Sequence, residues 1–404
     1  MTGPKSPLLL VEDALARLLE GVGPLAAEDV PVWQSHGRVM FALLSSKLTQ
    51  PPFDASAMDG YAVRAADAAK AGVALTVIGE SAAGRGFAGA LSAGQAVRIF
   101  TGAPMPAGAD AVVIQEDTVR TGIQVTVKQA TFAGENVRPR GNDFGQGQPF
   151  FPAGRRLSAR DAMLAASSGH AAISVARKPV VAILATGDEL VPPGTVPGPD
   201  QIVSSIPAGL AGMIASAGGE PRFIGIARDT LADLDAKIAS AAGADILVTI
   251  GGASVGDHDL VQKALTARGL KLDFWRIAMR PGKPLMYGRL GGQRVLGLPG
   301  NPVSATLCAQ IFLLPLVRAL QGAAAITPFT DGILAEPIDA NGPRQHYMRA
   351  KIIAVGQPPR VAALPRQDSS LVSVLSQADC LIVAPPHMAA LAAGDKVKLM
   401  ALEG

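Results

Sequence analysis

The sequence predicts a multidomain chain of mixed α/β and β type: a doubly wound α/β domain, a β-rich insert, a discontinuous N-terminal domain and a C-terminal β-barrel. Three observations predict it. Residues 179–325 alternate apolar strands such as PVVAILAT and ADILVTI with helices, the pattern of a parallel sheet covered on both faces. Residues 54–144 and 326–404 instead carry short strands between turns, as β-rich units do. A length of 404 residues, at about 150 per domain, leaves room for two to four such units.

Taken in order, residues 6–20 read as a helix. Ser6 can cap it, Pro7 suits its first position, Glu12 and Asp13 fall early, and Leu8, Val11, Leu15, Leu18 and Leu19 share a face. Gln50-Pro51-Pro52 breaks the chain into a linker. The segments LTVIGES, QAVRIFTGA, ADAVVIQEDT and GIQVTVKQA read as strands of the 54–144 insert. A helix at 158–169 and a strand through ISVARK follow. Segments 1–53 and 145–178 flank the insert and are therefore expected to form one discontinuous domain. From 179 to 325 three strand–helix steps and a fourth strand precede a last long helix, PVSATLCAQIFLLPLVRAL. Strands HYMRAKIIAV, PRVAAL, CLIVAP and DKVKLMAL suggest a small barrel at 326–404.

Composition narrows the function classes. A net charge of +3 and 4% aromatic residues offer neither the basic face nor the stacking platform of a nucleic-acid binder. Cys308 and Cys380 are too few for a disulfide framework or a cysteine zinc site. The start, MTGPKSPLLLVED, does not read as a signal peptide. No uncharged apolar run of about 18 residues suggests a membrane span. A cytoplasmic, reduced protein is expected.

Open α/β sheets bind ligands beyond the carboxyl ends of their strands. Five segments should therefore meet on one edge: Thr186-Gly187-Asp188-Glu189, Arg228-Asp229-Thr230, GGASVGDHD (251–259), Met279-Arg280-Pro281-Gly282-Lys283 and Pro299-Gly300-Asn301-Pro302. Gly251 and Gly252 permit close backbone approach, and Ser254 adds a hydroxyl. Each segment has a plainer reading. Asp259 with Gln262 fits a capping box, Asp229 can cap the helix after it, and Glu189 can be a solvated acid. Arg280 and Lys283 flank a tight turn suited to an oxyanion or are simply solvated. Outside this domain, Asp59-Gly60 suits a turn, Thr101 follows a strand, and Arg138, Arg140 and Asp143 share one loop.

Seven segments in order, PPFDASAMDGYAV, FTGAPMPAGADAVV, ENVRPRGNDF, ATGDEL, GGASVGDHD, RPGKP and GLPGNPVSA, resemble the molybdopterin molybdenumtransferase family, which includes the E domain of gephyrin. HYMRA and the Gly394-Asp395 turn extend the likeness into the tail. The resemblance implies Mg²⁺-assisted insertion of molybdate into adenylylated molybdopterin, with release of AMP. It implies functional acids at Asp59, Glu189, Asp229 and Asp259, with Asp143 beside them, and a functional threonine at Thr101. Glu189, Asp229 and Asp259 would serve Mg²⁺. Gly251, Gly252 and Ser254 would contact the pterin-phosphate end. Arg280, which stands where lysine is usual, and Lys283 would hold oxyanions. Pro299 and Pro302 would shape the molybdate pocket, joined by Arg349 and Ser370, with Gly300 and Asn301 of the turn between the prolines also binding substrate. The resemblance further implies a homodimer in which Asp59 and Thr101 reach the partner's α/β domain. It also implies a molybdopterin-adenylylating partner and molybdoenzyme acceptors. A scaffold role and an adenylyltransferase activity are the competing readings.

Overall fold

The computed structural model describes residues 8–252, 260–326 and 328–403. Its centre is a six-stranded sheet in the order Glu220–Ala227, Val180–Thr186, Ile246–Ile250, Gln293–Leu298, Met286–Leu290, Lys271–Trp275. The first four strands are parallel. Val181 and Ile183 face helix Ile206–Ser216 and the long helical segment starting at Pro302. Ala182 and Leu184 face helices Leu231–Ser240 and Leu260–Ala267. Helices on both faces leave no solvated side to Val180–Thr186 and Ile246–Ile250, which is why these central strands are buried almost throughout rather than at alternate positions.

The far edge departs from the expected all-parallel sheet. Strand Met286–Leu290, which the apolar pattern did not single out, lies antiparallel between Gln293–Leu298 and Lys271–Trp275. Each strand adds about 4.8 Å of width, so the turn after Lys271–Trp275 sits well away from the parallel strand ends. That turn is also pulled sideways, because Met279–Arg280 pairs in parallel with Gln345 and His346 of the C-terminal unit.

The C-terminal unit is a closed five-stranded barrel. Gln345–Ala354, Arg360–Ala363, Thr330–Leu334, Lys396–Ala401 and Cys380–Ala384 pair in turn, and the last returns to the first. The β-rich insert forms another six-stranded sheet, ordered Ala111–Ile114, Gly60–Val63, Gln95–Ile99, Ala74–Ser81, Gln124–Val127, Thr118–Thr121. On either side of it in sequence, Ala27–Pro31 pairs with Ala172–Ala176 and Leu44–Ser45 with Pro149–Phe151. Val30, Met40, Phe151, Leu157 and Val175 share one core there.

Two elements differ from their sequence reading. Helix Val11–Leu19, grouped by sequence with residues 1–53, buries Val11, Ala14 and Leu18 in the α/β core instead. Tyr287 Oη donates to Leu18 O at 3.2 Å and anchors it there. The helical segment Pro302–Ala319, interrupted by a π turn at Ala309–Leu313, is long and apolar enough to cross a membrane. Most of it lies inside the protein, packed against the sheet.

Candidate active site

Three parallel strands deliver the first groups. Strand Val180–Thr186 ends in Gly187, whose φ is +145°. A Cβ on Gly187 would collide with the Glu189 carboxylate, so glycine here lets the acid fold back over the strand end. Strand Ile246–Ile250 runs into Gly251, with φ +90°. A Cβ on Gly251 would stand 2.9 Å from both Thr186 O and Thr186 Oγ1. The two loops touch only because that side chain is absent.

Strand Glu220–Ala227 brings Asp229. The plainer reading of this acid as a helix cap does not hold. Thr230 is the N-cap of helix Leu231–Ser240, accepting from Asp233 N at 3.3 Å, and Asp233 in turn accepts from Arg228 N at 2.7 Å. The Asp229 carboxylate is left to face its neighbours. Partial burial, then the charges of Asp188 and Glu189, hold its carboxyl above the ordinary carboxylate range. Its own amide donates to Asp188 Oδ1 at 3.2 Å, and a backbone hydrogen bond from Asp188 to its carboxylate opposes the rise.

The fourth parallel strand, Gln293–Leu298, ends in Pro299-Gly300-Asn301, and Pro302 opens the following helix. Pro at that position suits a first helical turn whose amides lack partners. Asn301 makes no capping bond; its Nδ2 donates to Ser369 Oγ at 3.2 Å, tying the helix start to a loop of the barrel. These loops enclose a cleft of about 780 Å³. Glu189, Asp229, Gly251, Gly252, Gly300, Asn301, Pro302 and Ser370 all line it. Pro299 is buried just behind. Asp259 and Ser254 lie outside the described residues. Among the described residues no group of three His, Cys, Asp or Glu side chains is placed to hold a metal ion.

The remaining expected residues lie elsewhere. Arg280 does not join the cleft: it lines a second one of about 710 Å³ against the barrel, together with His346 and Gln367. Lys283 is exposed on the same turn and is not among the residues lining the first cleft. The inserted antiparallel strand and the Met279–Arg280 pairing to the barrel explain both displacements. Partial burial of His346, then the charges of Arg280, Arg349 and Arg344, pushes it down to about 4. Arg349 is only 1% exposed and is not among the residues lining the first cleft. Asp59 and Thr101 are together on the insert, where Asp59 Oδ1 accepts from Thr101 N at 2.8 Å and from Thr101 Oγ1 at 2.7 Å. Those two bonds, the backbone one foremost, hold Asp59 below the ordinary carboxylate range. Asp143 is exposed near the linker, its amide donating to Gln50 O at 3.0 Å. None of these three lines the cleft.

Sequence reasoning missed Ser204 and Ser205, which line the cleft at the start of helix Ile206–Ser216. The signal was present: Ser205 precedes Ile206-Pro207, a helix opening, yet its side chain makes no capping bond. Lys263 of helix Leu260–Ala267 was likewise missed and also lines the cleft.

Fold and site together define the class: a multidomain α/β protein with a ligand cleft at the carboxyl ends of its parallel strands, flanked by a β-rich insert and a closed barrel. Three family models match it in order. Residues 9–169 match the MoeA N-terminal region (domain I and II), 182–319 a "Probable molybdopterin binding domain", and 331–402 the MoeA C-terminal region (domain IV). A molybdopterin molybdenumtransferase from Nostoc is 38% identical over 333 residues, covering 80% of this chain and 76% of the relative. Another from Haemophilus influenzae is 32% identical over 399 residues, 97% of this chain and 98% of the relative. The solved molybdopterin biosynthesis moea protein from Pyrococcus horikosii superposes with a TM-score of 0.85 at 30% identity, covering 98% of this chain and all of that one. The chain belongs to the molybdopterin molybdenumtransferase family of transferases.

Proposed function

We propose that this chain completes the molybdenum cofactor by inserting molybdate into the dithiolene of adenylylated molybdopterin, releasing AMP with the help of Mg²⁺. The observation that carries this reading is the cleft itself: Glu189 and Asp229 face the paired glycines, the Gly300–Pro302 turn and Ser370 across one opening. An adenylylated pterin phosphate is long, polar and anionic, and such a cleft offers it two kinds of support. Glycines at 251, 252 and 300 let backbone amides approach a phosphate closely. The hydroxyls of Ser204, Ser205 and Ser370 supply donors whose orientation is adjustable.

The donor set fits Mg²⁺. Glu189 and Asp229 are hard oxygen ligands, the type this ion takes, often only one or two carboxylates at a time with waters completing its shell. Asp229 is held above its ordinary range by partial burial and then by its acidic neighbours, a cost that a divalent cation would relieve in part. Asp259 is the third acid of the proposed set. When bound, Mg²⁺ would lower the charge on the pyrophosphate that is cleaved. The chain's own residues would orient the substrate: Pro299 and Pro302 stiffen the turn beside the molybdate, and Gly187 keeps Glu189 folded over the strand end.

Asp59 and Thr101 lie outside this cleft, so their contribution would come through a homodimer, each insert reaching the partner's α/β domain. The exposed apolar side chains of Trp33, Leu43 and Met163 support a contact surface on the unit that flanks the insert. Lys283 and Arg280 would serve as steering cations at the rim rather than as contacts inside. A molybdopterin-adenylylating enzyme would supply the substrate, and molybdoenzymes would accept the product.

The deciding experiment is incubation with adenylylated molybdopterin, molybdate and Mg²⁺. AMP release with cofactor formation is expected. Adenylylation of free molybdopterin by ATP would transfer the reading to the preceding step, and absence of both activities would leave a scaffold.

A further inference from the structure

Arg98 stands where the segments that carry Asp59 and Thr101 meet. Strand Gly60–Val63 lies between Ala111–Ile114 and Gln95–Ile99, with Tyr61 directly opposite Arg98. Phe100 follows Arg98 by two residues, so the three side chains share one face of the sheet. The guanidinium lies over both rings, its Cζ 5.2 Å from the Tyr61 centroid and 4.7 Å from that of Phe100. Its two Nη atoms go to neutral acceptors: Nη1 donates to Gly60 O at 3.0 Å and Nη2 to Gln115 Oε1 at 2.8 Å. Gln115 in turn donates its backbone N–H to Asp59 O at 3.0 Å. The carbonyls of Asp59 and of Gly60 are thus held in succession, the first by Gln115 and the second by Arg98. Gly60 is pressed against the neighbouring strand, where a Cβ would collide with Val113 O. On the other side the Phe100 ring rests on the same guanidinium. The next residue is Thr101, whose N–H and hydroxyl both reach Asp59 Oδ1.

We propose that Arg98 is a positioning residue that sets the mutual orientation of Asp59 and Thr101 through the backbone around them, without itself meeting the substrate. A cross-strand aromatic–arginine pair could serve sheet packing alone, and a lysine would then do as well. The use of the planar fork points further. Two donors on one rigid group span acceptors on two segments, which an ammonium on a flexible stem does not reproduce. The aromatic rings fix the plane of that fork by contact with its face. After the backbone and hydroxyl bonds of Thr101, the Arg98 charge also lowers the Asp59 carboxyl. The link of this role to turnover rests on the function proposed above; the geometric role does not.

Amide hydrogen exchange on the full chain tests the geometry. Arg98→Met keeps an unbranched side chain over the rings and removes both donors. It should speed exchange at Thr101 and Gln115 about tenfold or more, while strand Gln124–Val127, farther across the insert sheet, is unchanged. Unchanged exchange at Thr101 overturns the assignment. Arg98→Lys should behave like Arg98→Met; parental exchange with lysine would mean that charge and packing suffice, and would overturn the role of the fork. Asp59→Ala removes the acceptor itself, so Arg98→Met added to it should change Thr101 little further. Fold-changes that multiply would mean that Arg98 loosens the turn irrespective of Asp59, which also overturns the assignment. Should Arg98→Met fail to fold, Gln115→Met takes one acceptor of the guanidinium from an exposed position. It should speed exchange at Thr101 about threefold, and no change there counts against the proposal in the same way. In the AMP-release assay Arg98→Met should lower turnover about as far as Asp59→Asn, and the double variant no further. Parental turnover by Arg98→Met would overturn the link to the reaction. If the parent protein releases no AMP, the proposed function fails while the exchange results still decide the role of Arg98.

Discussion

Two carboxylates on loops, Asp59 in the β-rich insert and Asp229 at the sheet edge, are built in opposite ways. Asp59 is served by its surroundings: Thr101 gives it a backbone and a hydroxyl donor, and its pKa is lowered. Asp229 is crowded, with partial burial and the charges of Asp188 and Glu189 raising its pKa against one opposing backbone hydrogen bond from Asp188. The first is oriented and ionised in the resting protein. The second is crowded by other acids, which a cation bound there would relieve. In this family member the acid of the insert is satisfied by its neighbours, whereas under the function proposed here the acids of the cleft would be completed by a cation.

Removing the acids of the cleft has the largest expected effect. Glu189→Gln or Asp229→Asn should lower AMP release at saturating substrate by at least 10–100-fold, a loss that even outer partners of metal sites produce. Equal turnover by variant and parent would remove these acids from the reaction. Asp229→Asn should at the same time gain stability. A raised folded-state pKa means that ionisation opposes folding. The penalty is absent below the ordinary carboxylate range and grows as pH rises through the folded pKa. The urea midpoint of Asp229→Asn should thus exceed the parent's at pH 7 and converge with it near about pH 3.

The next effect is steric. Gly187→Ala should cost about 1–3 kcal/mol in chemical unfolding, because its Cβ meets the Glu189 carboxylate and the backbone sits at φ +145°. Activity should fall with it, since the acid is pushed off the strand end. Thr230→Ala separates position from chemistry. It removes the true cap beside Asp229, so about 0.5–2 kcal/mol of stability should go while KM for the pterin substrate changes little. A large loss of turnover would mean that the cap, and not the Asp229 carboxylate, matters at this corner.

The smallest effect tests the acid of the insert. Thr101→Val removes one of the two donors on Asp59 and should raise its pKa toward the ordinary range, as carbon-detected titration of the side chain would read. Because the parent's folded value is depressed, its contribution to stability is present above the unfolded pKa and is lost as pH falls through the folded one. Thr101→Val should narrow that acid-side loss. No shift would mean that the backbone N–H of Thr101 alone sets the carboxylate.

The contrast was only partly legible in the residues. Asp59 and Thr101 are 42 positions apart in sequence, and nothing in spacing predicts their pairing; antiparallel pairing of Gly60–Val63 with Gln95–Ile99 brings them together. Glu189, Asp229, Gly251 and Gly300 were readable because each follows an apolar run, and a parallel sheet puts all its strand ends on one edge. Arg280 and Lys283 failed the same rule. Strand Met286–Leu290 inserts antiparallel before theirs, and pairing with the barrel draws Arg280 into another cleft.

Sequence alone determined most of the strands and helices and the loops at the ends of the parallel strands that line the cleft, because apolar periodicity and Gly/Pro punctuation are local properties of the chain. Tertiary structure alone decided the burial of Arg349, the docking of helix Val11–Leu19 on the α/β core and the reach of Ser370 across from the barrel. Each depends on which distant surfaces meet, and no local pattern of residues marks such a meeting.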